Sequence, residues 1–145
     1  MVDISWCLKQ KKGIRLIEPS NIISDDYIKR AEQDIIVMNN SQGHWEIITA
    51  YYACYDIIYS LLIKTGIKSE IHSCSIALMA LFDFKDEDIK FITKLKDDRI
   101  QVQYYLKNIP LNDVNKVKEF VLNAKEKITK LDETKIRSIR EKLKQ

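Results

Sequence analysis

Apolar residues recur along this chain at intervals of three and four, the spacing that puts them on one face of a helix. The stripe Ile28, Ala31, Ile35 and Met38 predicts a helix from Asp25 to about Met38. Ser24 is its N-cap, and Asp25 and Asp26 suit the positive end of its dipole. Asn39 to Gly43 reads as a tight break. From His44 to Thr65, Trp45, Ile48, Tyr52, Tyr55, Tyr59 and Leu62 form one face, and Ala50, Ala53, Cys54, Ile57 and Leu61 widen it to most of the circumference. A helix apolar on nearly all sides belongs in the middle of a bundle, and Gly66 is placed to end it in a left-handed C-cap.

Ser69 starts a third helix, with Ile76, Leu78, Met79, Leu81 and Phe82 as core material before the acidic run Asp83 to Asp88. A fourth runs from about Asp86 to Tyr104, and Ile109-Pro110 with Asn112 separates it from a fifth. That fifth pattern is the clearest: Val114, Val117, Val121, Ala124, Ile128 and Leu131. A basic helix follows Asp132, with Ile136, Ile139 and Leu143 as a narrow apolar face. Residues 1–23, with Gly13 and Pro19, read as an irregular arm packed on the bundle. The expected architecture is all-α: one domain over 1–145, an up-and-down bundle of about five to six helices with short connections.

Composition agrees with helix. Three glycines and two prolines leave few turns for a many-stranded fold, and 145 residues suffice for one sizeable core. The net charge of +3 is uneven, with eleven basic and six acidic residues from Lys107 onward. That basic end can attract phosphate backbones or be simply a solvated helix surface. Cys7, Cys54 and Cys74 are an odd number without short paired spacing, so neither a disulfide framework nor a metal site is expected, and a reducing, cytoplasmic setting is the simplest reading. Met1 to Lys12 lacks the apolar run of a signal peptide, and Asp56 and several tyrosines interrupt the stretch Ile47 to Ile63, so no membrane span is expected.

The chain has no Gly-rich phosphate loop, no Gly-x-Ser-x-Gly turn and only two histidines, so no cofactor is expected. Arg99 is the informative residue, because it falls inside the stripe Ile92, Leu95, Val102 and Leu106. Either its stem packs while the guanidinium pairs with an acid such as Asp97 or Asp98, or it faces a cleft where its fork can hold phosphate. His72, in the first turn of its helix, is expected to be neutral and either structural or a proton acceptor. Cys74 reads as a buried thiol, and His44 receives no role. Tyr51, Tyr52, Tyr55 and Tyr59 read as core or dimer contacts. Tyr104 and Tyr105 converge with Arg99 only if the helix ends there. Asp56, a charge in the most apolar helix, requires a partner, and Arg99 is one candidate.

The segment Thr49 to Asp56, then Leu61-Leu62, Gly66-Ile67-Lys68 and Ile71-His72-Ser73, with Arg99 to Tyr105 downstream, resembles archaeal and bacterial HEPN-domain proteins. The resemblance implies a helical bundle that dimerises, acting beside a minimal nucleotidyltransferase in a toxin-antitoxin or defence pair. Many members are metal-independent endoribonucleases whose motif is Arg, four to six residues, then His at the dimer cleft. Arg99 matches the arginine, but Tyr104, Tyr105 and Leu106 occupy the histidine positions. The leading expectation is therefore a dimeric module that binds nucleotide, RNA or a nucleotidyltransferase in a cleft lined by Arg99 and Tyr104, which the resemblance carries over, with Tyr105, Asp56 and Tyr52 as further cleft candidates. The alternatives are a ribonuclease using Arg99 with His72 or Tyr104, and a purely structural interaction module.

Overall fold

A computed structural model of the chain describes residues 2–144; Met1 and Gln145, the ends of the expected domain, lie outside the described residues. Seven α-helices appear among those residues: α1 Ile4–Lys9, α2 Asn21–Asn40, α3 His44–Thr65, α4 His72–Ala77, α5 Asp86–Tyr105, α6 Val114–Lys130 and α7 Glu133–Leu143. The protein is all-α apart from two short strands, β1 Ile14–Leu16 and β2 Ile67–Ser69.

The middle position of α3 follows from its composition. Fifteen of its residues are buried, and it packs against α2, α5, α6 and α7. It is also long and apolar enough to cross a bilayer, yet 78% of its apolar window lies inside the fold, as in a core helix. Gly66 ends it in the left-handed region at φ 79°, as expected of a C-cap glycine. The single-face patterns of α6 and α7 place Val117, Val121, Ala124 and Ile128, then Ile139 and Leu143, in the core. Asp132 caps α7 by accepting from the Lys135 amide.

Five expectations about the elements and their ends are corrected. Residues 2–23 are not an irregular arm, because α1 forms and β1 pairs antiparallel with β2, Ile14 opposite Ser69 and Leu16 opposite Ile67. Ser69 therefore lies in a strand rather than starting a helix. The third helix is shorter than its pattern: α4 starts at His72 and gives way to a 3-10 turn over Leu78–Phe82. α2 starts at Asn21 under a Ser20 cap. Ser24 is instead buried and donates to the Ser60 carbonyl on α3 at 2.9 Å. Finally, Leu106 does not continue the stripe of α5; it is 87% exposed at φ 56° and ends the helix.

The cysteines also differ from expectation. Cys7 on α1 and Cys74 on α4, both fully buried, form a disulfide with Cα atoms 5.8 Å apart. The β1–β2 pairing turns the N-terminal segment back across the start of α4, which is how residues 67 apart in sequence meet. Cys54 remains a free, buried thiol whose pKa burial pushes up.

Candidate functional site

α3 supplies the floor of the site, α4 one wall and the C-terminal half of α5 the other. Tyr51 and Tyr55 are one helical turn apart on α3 and their rings stack at 5.7 Å. His72, the first residue of α4, lies flat on Tyr55 with ring centroids 4.0 Å apart and planes at 17°. Its Nδ1 is 2.7 Å from the Tyr51 hydroxyl. Tyr55 is itself fixed by Ser75, one turn along α4, at 3.0 Å. The disulfide at Cys74 lies between His72 and Ser75, so it ties this wall to α1.

The protonation states follow from burial. Tyr51 is fully buried, and desolvation pushes its pKa up, so it remains a phenol and donates. His72 is pushed down to about 4, first by burial and then by the positive charges of Arg99 and Lys96. The imidazole is therefore neutral, as expected, though the cause is burial and two cations rather than the dipole of so short a helix. The Tyr51 hydroxyl has no other acceptor among the described residues, so we assign His72 Nδ1 as its acceptor and the ring proton to Nε2.

Arg99 is only 7% exposed and lies over three tyrosine rings, with its guanidinium carbon 4.9 Å from the centroid of Tyr51, 5.5 Å from Tyr52 and 5.9 Å from Tyr104. Its Nη1 donates to Gln103 Oε1 at 3.1 Å and to the Tyr52 hydroxyl at 3.4 Å, both neutral groups. Its buried Nε has no partner among the described residues. No acid among the described residues pairs with it: Asp98 is paired with Lys94 at 2.7 Å. Such an arrangement offers cation–π stabilisation on one side and an unspent charge on the other.

The expected pairing of Asp56 with Arg99 is not made. Asp56, buried on α3, faces Asp34 on α2, and its carboxyl is raised to about 8 by burial, by a hydrogen bond with Asp34 and by that neighbour's charge, against the opposing pull of Arg30. Asp34 is raised too, and its buried Oδ2 has no conventional donor. Two carboxyls that face each other out of water repel when both are ionised, which favours a proton on one of them. Asp56 thus belongs to the α2–α3 interface and not to the arginine cluster.

The structure brings together Arg99, Tyr52, Tyr104 and His72, and leaves out Asp56. Tyr104 reaches Arg99 while still inside α5. Tyr105 is 66% exposed. Sequence reasoning missed three contributors. Tyr51 connects Arg99 to His72, and Ser75 holds Tyr55. Gln103 receives Arg99, and its signal was present, since it lies one helical turn beyond the arginine. Among the described residues there is no group of three or more His, Cys, Asp or Glu that could hold a metal ion.

No family model matches the chain, and no characterised protein or solved structure matches it either.

Proposed function

We propose that the chain is a single HEPN-like domain that works as a homodimer and binds nucleotide or RNA phosphate at Arg99, in a toxin-antitoxin or defence setting beside a minimal nucleotidyltransferase. The observation that carries this reading is a buried guanidinium that, among the described residues, is held only by neutral groups and has an unpartnered Nε. A charge removed from water without a counter-ion is costly, and an incoming phosphate would both balance it and match its planar donor fork. The cytoplasm is the proposed setting; there the full burial of Cys7 and Cys74 would limit access of reducing thiols to their bond.

The ribonuclease reading has one observation in its favour: His72 sits beside Arg99, sharing Tyr51 with it. Against it, a histidine with a pKa near 4 is a weak base at neutral pH, and its lone-pair nitrogen is already engaged by Tyr51. Tyr104, where the family motif has histidine, is a worse base still. Binding is thus favoured over cleavage.

The test is titration of protein freed of copurifying nucleic acid with short single-stranded RNA and with ATP at low salt. Binding that weakens as salt rises, and falls at least tenfold in Arg99→Ala, is expected. Absence of affinity for both ligands at low salt sinks the reading. RNA cleavage that disappears in His72→Ala would restore the nuclease.

A further inference from the structure

A second feature lies next to Arg99 and is not used by that reading. Between the first turn of α3 and the last turn of α5 runs an open groove of about 510 Å³, the size range of small-molecule sites. Buried Ile48 and Val102 form its apolar floor. One wall is Trp45, 55% exposed although its spacing places it on the apolar face of α3; the His44 ring supports it at 5.1 Å. The other wall carries the amides of Gln103 and Asn108 and the ammonium of Lys107. No carboxylate is among the described residues lining it. Gln103 also accepts from Arg99, so the groove and the buried cation share a side chain.

We propose that this groove takes one unpaired base of single-stranded RNA, stacked on Trp45, with its flanking phosphate on the Lys107 and Arg99 side. Three properties point to a base. An aromatic face left in water beside an open groove is a stacking platform that any base can use. Side-chain amides present both a donor and an acceptor to a base edge. The lining charge is positive, which suits a phosphodiester. A face made to close on a second copy would instead be depleted in lysine, whereas Lys107 lines this groove. The proposal rests on the RNA reading of Arg99 and gives it a specificity element.

The experiment uses the full chain in a Trp6→Phe background, so that fluorescence reports Trp45 alone. A ten-nucleotide single-stranded RNA is titrated at low salt, with the same sequence as a duplex for control. We expect quenching by the single strand and not by the duplex, and affinity, read for every variant from the fluorescence anisotropy of end-labelled RNA, about 5- to 100-fold weaker in Trp45→Ala. Trp45→Phe should keep most of the affinity. Because Trp45 is exposed, the alanine variant should fold, which circular dichroism checks. RNA binding that depends on Arg99 but neither quenches Trp45 nor weakens in Trp45→Ala overturns the groove and spares the arginine. Quenching and Trp45 dependence without any effect of Arg99→Ala supports the groove and overturns the arginine reading. No RNA binding at all overturns both. Emission that follows protein concentration rather than RNA, with Trp45→Ala turning dimer into monomer, assigns the face to a second copy and overturns the proposal.

Discussion

The Tyr51 hydroxyl and His72 Nδ1 lie 2.7 Å apart, and this contact joins the buried face of α3 to the first residue of α4. It runs in that direction only while the imidazole is neutral; a protonated ring would donate to the phenol oxygen instead, a form that burial and the charges of Arg99 and Lys96 disfavour.

Stability should consequently fall in mild acid. His72 drops from an ordinary 6.5 to about 4 in the fold. Between those values the unfolded chain binds a proton that the folded chain refuses, so this contribution is complete above 6.5 and is lost as pH falls toward 4. The urea midpoint should decline across that window, and less so in His72→Gln, whose amide accepts the same bond without titrating. A ring-proton NMR titration of His72 with a midpoint at or above its ordinary value would refute the account.

The Asp34–Asp56 pair behaves in the opposite sense. Asp56 rises from 3.8 to about 8, so the folded chain holds a proton that the unfolded chain has released. Stability from this group is complete below 3.8 and is lost as pH rises through about 8. Asp56→Asn, which donates to Asp34 permanently, should match the parent below pH 3.8 and exceed it by a growing margin as pH rises toward about 8. Equal urea midpoints for the two proteins above pH 8 would show that no proton is shared.

What was legible in the sequence follows the range of the interactions. The bounds of α3, its Gly66 cap and the place of Arg99 on the inner face of α5 rest on spacing within one helix, and spacing is visible. Ser24 shows how a local signal misleads: it looks like a cap, but it lies four residues before Ile28 on the buried stripe, where Ser60 receives it. Asp34 carried the same signal, three residues after Ala31 and four before Met38, both buried. The β1–β2 pairing and the meeting of Cys7 with Cys74 depend on where the chain returns in space, and three-residue strands leave no periodicity to read. The stack of His72 on Tyr55 is likewise a tertiary event, whereas Gln103 could have been found from its place one turn beyond Arg99.

The disulfide gives a countable prediction. The chain has three cysteines, and Cys54 alone is free, so unfolding without reductant should expose one reactive thiol per chain. Three reactive thiols would refute the bond. Closing a loop of this length stabilises a fold by about 4 kcal/mol in the chain-entropy picture, so the Cys7→Ser, Cys74→Ser double variant should show a loss of that order. Its His72 resonances should also broaden, since α4 loses its tie to α1.

Arg140 and Gly66 form a clasp at the far end of α3. Arg140 Nη1 donates to the carbonyls of Ile17 and Gly66, each at 2.8 Å, and more weakly to Thr65 at 3.3 Å. α7 is thereby tied to the C-terminus of α3 and to the end of β1, where a cation also complements the helix dipole. Gly66 makes room for it: a Cβ there would collide with the Arg140 guanidinium and the Ile17 carbonyl, at a φ of 79° that disfavours any side chain. Arg140→Met should cost about 2 to 3 kcal/mol through lost charge-assisted bonds, and Gly66→Ala about 1 to 2 kcal/mol from backbone conformation alone, more with the collision. Because the alanine already displaces the guanidinium, the double variant should lose less than the sum of the two. Additive losses in urea unfolding would mean that the two residues act separately.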